Sequence, residues 1–200
     1  MPCVFIRLSN CNLRCSYCDS SYTWEEPGQE MTFEQIHNWL DRFPDVMVEL
    51  TGGEPLLQEG VYPFIDTLLD RGRKVLLETN GSLSIEKVPY EVSVILDIKC
   101  PGSGMDNKNN WKNIDLLRTR KNNNSRDEVK FVLSSEQDFY WARNITEKYK
   151  LASLIPVLFS PVEYLFAPVT LAELIMENRT PVKIQIQLHR ILWPEAGRGV

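Results

Sequence analysis

Seven short apolar, β-branched runs recur along the chain, "CVFIRL", "DVMVEL", "KVLLET", "VSVILDIK", "EVKFVL", "LASLIPVLF" and "VKIQIQL", and each reads as a strand. Between them the apolar period lengthens to that of a helix. "TFEQIHNWLDRF" places Phe33, Ile36, Leu40 and Phe43 on one face and begins with Thr32 as N-cap, with Gln35 three residues on to complete a capping box. His37 falls on the flank of that helix and is expected to be solvated. "VYPFIDTLLDRG" repeats the arrangement, with Phe64, Ile65, Leu68 and Leu69 as the buried stripe and Gly72 as the stop, and "QDFYWARNITEKY" and "TLAELIMEN" supply two more helices. Strands this continuously apolar, alternating with helices, predict a parallel sheet joined by right-handed crossovers. The expected fold class is α/β, an incomplete (βα) barrel of about six to seven parallel strands, in a single domain over residues 1–200. "PGSGMDNKNN" and "RKNNNSRDE" interrupt the pattern as polar surface loops, the first expected to move. There is no internal repeat.

Charge narrows the function classes. A formal net charge of −5 argues against a surface that coats nucleic acid. No apolar run approaches the roughly 20 residues that span a bilayer, and "MPCVFIRLSN" lacks the apolar stretch of a signal peptide. The expectation is a cytoplasmic protein with neither nucleic acid nor membrane as partner.

Five cysteines, Cys3, Cys11, Cys15, Cys18 and Cys100, are odd in number with three of them clustered, which suits reduced, metal-binding thiols better than a disulfide framework. Cys11, Cys15 and Cys18 form C-x3-C-x2-C directly after "VFIRL", at the strand end where parallel sheets bind ligands. One reading is structural zinc in a non-catalytic interaction module. Such sites close with four protein ligands, however, and the chain offers no second Cys or His pair at that spacing, only His37 and His189. The other reading is a [4Fe–4S] cluster held by three thiolates, with one iron left open to a small molecule. A second loop, "TGGEP" from Thr51 to Pro55, also follows a strand. Its two glycines allow close backbone approach, and its carboxylate can receive an ammonium group.

The cysteine spacing with Tyr17 before the last thiol, followed one βα unit later by Gly52, Gly53 and Glu54, resembles the radical S-adenosylmethionine (SAM) enzymes. That resemblance implies a [4Fe–4S] cluster on Cys11, Cys15 and Cys18, and the amino group of SAM on the Gly-Gly-Glu loop. "VFIRLSNCNLRCSYCDSSYTW", "ELTGGEPLLQ", "LLETNGS", "DIKCPGSGM" and "IQIQLHRILWPEAGRGV" are similar, more narrowly, to the 7-carboxy-7-deazaguanine synthases of queuosine and deazapurine biosynthesis. The implied reaction is ring contraction of 6-carboxy-5,6,7,8-tetrahydropterin to 7-carboxy-7-deazaguanine with loss of ammonia, assisted by Mg²⁺.

By the same resemblance, Arg7 binds the substrate carboxylate, where a bland reading makes it a surface cation paired with an acid. Ser20 stands where the family has Thr and would offer its hydroxyl to Mg²⁺. Thr51, Glu78, Thr79, His189 and the carboxylate of Val200 would meet the substrate. Asn80, Ser160, Pro161 and the Asp97, Ile98, Lys99 run, which replaces a family Ser-Pro-Lys segment, would meet SAM. The match begins at Cys3, whereas family members carry an upstream "QGEG"-like segment. The resemblance also implies a flavodoxin- or ferredoxin-like electron donor and a homodimer. A glycyl-radical activase, which shares both cofactor motifs but acts on a protein, is the alternative enzyme.

Overall fold

Alternation within each strand sets the architecture. The computed structural model describes residues 3–123 and 125–193, less the side chains of His189 and Arg190. Strands β1 (Cys3–Leu8), β2 (Met47–Gly52), β3 (Val75–Thr79), β4 (Ser93–Asp97), β5 (Glu128–Leu133), β6 (Val157–Pro161) and β7 (Lys183–Ile184) form one parallel sheet in sequence order. β1 and β7 lie at opposite edges, so the sheet is unclosed. Helices α1 (Tyr22–Glu25), α2 (Phe33–Leu40), α3 (Val61–Asp70), α4 (Lys112–Asn122), α5 (Glu136–Lys148), α6 (Leu151–Leu154), α7 (Pro168–Glu177) and α8 (Leu188–Leu192) fill the connections. None is long and apolar enough to cross a membrane among the described residues.

Register gives the sheet two unlike faces. Val4, Val48, Leu50, Leu77, Val94, Leu96, Val129, Phe131 and Phe159 share one face and join residues of α3, α4, α5 and α7 in the core. Arg7, Glu49, Thr51, Glu78, Asp97, Lys130 and Ser160 share the other. Charges on the inner face of a sheet whose outer face is sealed by helices mark a lumen that handles polar ligands.

The α2 capping box forms as expected, with Gln35 N donating to Thr32 Oγ1 at 3.2 Å and Thr32 N to Gln35 Oε1 at 2.8 Å. Gly72 ends α3 at a φ of +70°. Four expectations need correction. His37 is buried rather than solvated, because Thr67 of α3 supplies a partner 2.8 Å from its Nε2. β6 starts at Val157, not Leu151: Lys150 takes a left-handed φ of 54° and Leu151–Leu154 turns as α6, since Pro156 has no N–H for a ladder. The 101–110 segment is pinned, with Asn109 Nδ2 donating to Lys99 O at 2.9 Å and Gly102 N to Asp138 Oδ1 at 2.9 Å.

The fourth correction concerns the 120–128 stretch, which is anchored by an ion pair. Arg120 Nε lies 2.8 Å from Asp127 Oδ2, both groups buried, and the guanidinium also donates to Val88 O at 2.8 Å and Val92 O at 2.6 Å. Asp127 Oδ1 in turn accepts Val94 N at 2.8 Å. Removing one partner strands a buried charge, so Arg120→Ala is expected to destabilise the fold by about 3–5 kcal/mol. Chemical denaturation checks this, and a change under about 1 kcal/mol would contradict it.

Candidate active site

The cysteine loop leaves β1 at Ser9 and is fastened from several sides. Tyr17 Oη donates to Val132 O at 2.9 Å and its ring is buried; Ser16 Oγ donates to Gly102 O at 2.7 Å, and Ser16 N to Ser103 O at 3.0 Å. Arg14 stacks 4.1 Å above the Trp24 ring and donates to Cys11 O and Leu13 O, each at 2.7 Å. Cys11, Cys15 and Cys18 are free thiols, and Cys18 is exposed. Burial pushes the Cys15 and Cys18 thiols above the ordinary value, and each also feels Lys99 and Cys11. Ligation by iron would therefore displace their protons.

The Gly-Gly-Glu loop presses directly on this loop. Gly52 has a φ of +144°, and a Cβ there would lie 2.1 Å from Leu8 O. At Gly53 a Cβ would lie 2.0 Å from Asn10 O and 2.9 Å from Cys11 Cβ. The contact is sealed by Gly53 N donating to Leu8 O and Glu54 N to Asn10 O, both at 2.9 Å. Glu54 is fully buried: Oε1 accepts Leu56 N at 3.0 Å and Thr79 Oγ1 at 2.8 Å, and Oε2 accepts Asn80 N at 2.7 Å. Oε2, with one donor, keeps capacity for a second. Asn80 Nδ2 reaches Cys11 Sγ at 3.7 Å and Asn12 Oδ1 at 3.1 Å, placing the β3 end against the first thiol.

At the end of β4, Lys99 Nζ pairs with Asp97 Oδ2 at 2.6 Å, and Asp97 Oδ1 is buried without a partner. Burial works to lower the Lys99 pKa, but Asp97 and Cys15 outweigh it and hold the ammonium charged. Ile98 points into the apolar core and offers a ligand only its backbone. Ser160 and Pro161 are buried at the end of β6.

Arg7 donates to Ser20 Oγ at 3.3 Å, and among the described residues no carboxylate stands within ion-pair distance of it. Ser20 Oγ donates to Asp19 Oδ1 at 2.7 Å, and Gln187 Nε2 donates to Asp19 Oδ2 at 2.7 Å. Burial pushes Asp19 up, but the bonds from Ser20 and Gln187 outweigh it and hold the carboxyl below its usual range. Thr51 sits beside Arg7 in register. Thr79 turns to the face opposite Glu78 and spends its hydroxyl on Glu54. The His189 side chain and Val200 lie outside the described residues.

Sequence reasoning passed over Asp19, Glu49, Lys130 and Gln187. Lys130 Nζ pairs with Glu78 Oε1 at 2.8 Å. Glu49 was findable as the lone charge of β2 and Lys130 as one of two charges, with Glu128, at the inward phase of β5, whereas nothing local marks Gln187, whose partner lies 168 positions away.

The residues fit a multi-iron cluster. Three thiols on one fastened loop lie at the ligand-binding end of the sheet, beside a close-packed glycine loop and an acceptor with spare capacity. Among the described residues no three His, Cys, Asp or Glu side chains converge on one metal-ion position.

Comparison with known proteins agrees. The radical SAM superfamily profile matches residues 5–91. The chain is 40% identical to the 7-carboxy-7-deazaguanine synthase of Chlorobaculum tepidum, over 100% of its own length and 89% of the relative's. It is 37% identical to that of Koribacter versatilis, over 100% and 92%. Among solved structures, QueE from Escherichia coli superposes with a TM-score of 0.69 at 18% identity, covering 94% of this chain and 86% of that one. Streptococcus suis SuiB bound to S-adenosylmethionine gives 0.66 at 13%, covering 100% and 54%. These two likenesses establish the fold alone; the full-length identity to the first two relatives goes further, and by it the chain belongs to the 7-carboxy-7-deazaguanine synthase family of radical SAM enzymes.

Proposed function

We propose that the chain converts 6-carboxy-5,6,7,8-tetrahydropterin to 7-carboxy-7-deazaguanine and ammonia, using a [4Fe–4S] cluster, SAM and Mg²⁺. The observation that carries this reading is the seating of the cysteine loop on the Gly-Gly-Glu loop, in a chain 40% identical throughout to a named synthase. When bound, the reduced cluster and SAM supply a carbon radical able to take a hydrogen atom from the substrate.

The chain's own residues bind, orient and neutralise. Cys11, Cys15 and Cys18 would hold the cluster, Glu54 Oε2 would accept the SAM amino group, and Asn80, Asp97 and Lys99 line the same end of the sheet. Arg7, with no carboxylate within ion-pair distance among the described residues, suits the substrate carboxylate as a bidentate partner. Asp19 accepts the Ser20 proton and Arg7 donates to the same oxygen, which leaves one lone pair of that hydroxyl to offer to Mg²⁺. Glu78, fixed by Lys130, offers an acceptor to the donor edge of the pterin.

The test is to incubate reduced, anaerobically reconstituted protein with SAM, Mg²⁺ and the carboxypterin and to follow product by mass. Formation of the deazaguanine is expected. SAM consumed without any deazaguanine would favour a protein-directed activase instead. An acidic flavin or iron–sulfur reductant and a second copy of the chain are the proposed partners. The exposed apolar side chains of Tyr164, Leu165, Val169 and Met176 support the dimer, and free thiols support a cytoplasmic setting.

A further inference from the structure

Two glutamates on the inner face of the sheet are neighbours across adjacent strands. Glu49 of β2 and Glu78 of β3 are diagonal neighbours on one face, Glu49 standing opposite Leu76, and their carboxyls are within reach of a shared proton. Their surroundings decide which one keeps it. Glu78 has Lys130 Nζ at 2.8 Å from Oε1; burial pushes Glu78 up, but the lysine outweighs it and holds the group ionised. Glu49 is 8% exposed and forms no ion pair among the described residues; the Cys3 thiol donates to it, with Sγ 3.7 Å from Oε2. Burial first, and the Glu78 charge second, push Glu49 up to about 7, against weaker pulls from Cys3 and Lys130. The titratable and charged groups on this face are Cys3 and Arg7 from β1, Glu78 from β3, Asp97 and the following Lys99 from β4, Glu128 and Lys130 from β5 and Lys183 from β7, and Asp19 of the cysteine loop also acts on Glu78.

We propose that Glu49 is a positioning residue that carries the shared proton, donates it to Glu78 as a hydrogen bond, and so keeps this part of the lumen neutral for an anionic substrate. The proposal rests on the reading of the substrate as a carboxylate-bearing pterin that meets Glu78. With Glu49 protonated, the Glu49–Glu78–Lys130 trio sums to zero charge, and the Glu78 carboxylate is tethered by both neighbours. Ionisation of Glu49 leaves one uncompensated negative charge in a low-dielectric lumen and removes a tether. Substrate binding then weakens while the bond-breaking machinery is untouched.

Wild-type KM for the carboxypterin is therefore expected to climb above about pH 7, toward roughly tenfold per pH unit, with kcat nearly constant. Glu49→Gln keeps a donor for Glu78 and has no proton to lose, so it is expected to abolish the climb. The infrared carbonyl stretch of a protonated carboxyl should be present in wild type below that pH, fade through it, and be missing from Glu49→Gln. Stability gives a third reading. A folded-state value raised above that of a free glutamate means stability is lost as pH rises from the ordinary carboxylate range through about 7, and Glu49→Gln should melt higher than wild type on the alkaline side.

Absence of the Glu49 band overturns the proposal whatever the substrate is. A band with identical KM profiles in wild type and Glu49→Gln overturns the positioning role. A band together with the relieved melting, but no pterin turnover by any form, sinks the pterin reading and upholds Glu49 as the proton carrier.

Discussion

Cys15→Ala is expected to bring SAM cleavage down to background, a loss of at least roughly a thousandfold, or about 4 kcal/mol of transition-state stabilisation. Three thiolates are the minimum that holds a [4Fe–4S] cluster with one open iron, and the nearby Cys100 cannot substitute, since it is wholly buried in the core. The loop itself should survive. Its fastenings run through Ser16, Tyr17 and Arg14 rather than through the Cys15 side chain, so the apo protein should lose less than about 1 kcal/mol of stability. Iron and acid-labile sulfide content, together with release of 5′-deoxyadenosine, measure the outcome. Cleavage at the wild-type rate with a full iron complement would remove Cys15 from the ligand set.

Gly53→Ala should be nearly as damaging, for a steric reason. The added methyl would lie 2.0 Å from Asn10 O, 2.6 Å from Asn10 C and 2.9 Å from Cys11 Cβ. Two of these atoms are backbone and cannot rotate away, so the two cofactor loops must separate. Separation breaks the Gly53 N to Leu8 O and Glu54 N to Asn10 O bonds and shifts the first thiol from its place. Overpacking of this kind costs about 1–3 kcal/mol, and a displacement near 1 Å at a catalytic group costs on the order of a hundredfold in rate. Denaturation of the apo protein and SAM affinity of the reconstituted protein are the measurements. Wild-type values in both would show that the loops do not abut.

Much of this was legible in the chain. Each of the seven strands overlaps one of the apolar runs, β2 and β6 continuing two residues past theirs, because a strand sealed by helices has to read that way. Thr32 and Gln35 announced the start of α2, because a capping box is a local device. The carboxyl-edge loops were legible because cysteines and paired glycines are rare enough to stand out. What escaped depends on partners distant in sequence. His37 looked solvated until Thr67, 30 positions on, covered it, and the Arg120–Asp127 pair looked like loop polarity because its carbonyl acceptors come from residues 88–92. Pro156 inside the sixth apolar run was a visible sign that the strand began late. Glu49 was visible as well, as the single ionic residue of β2, and Lys130 as one of two, with Glu128, at the inward phase of β5.

Every strand in this sheet neighbours the one made just before it. Such an order suits growth during translation, each new βα unit docking on a surface already in place. The Gln187–Asp19 bond reaches much further back, joining residues 168 apart. Asp19 gains its second donor only once residue 187 has been made, so both oxygens of the carboxylate that orients Ser20 are held only when the last βα units are in place.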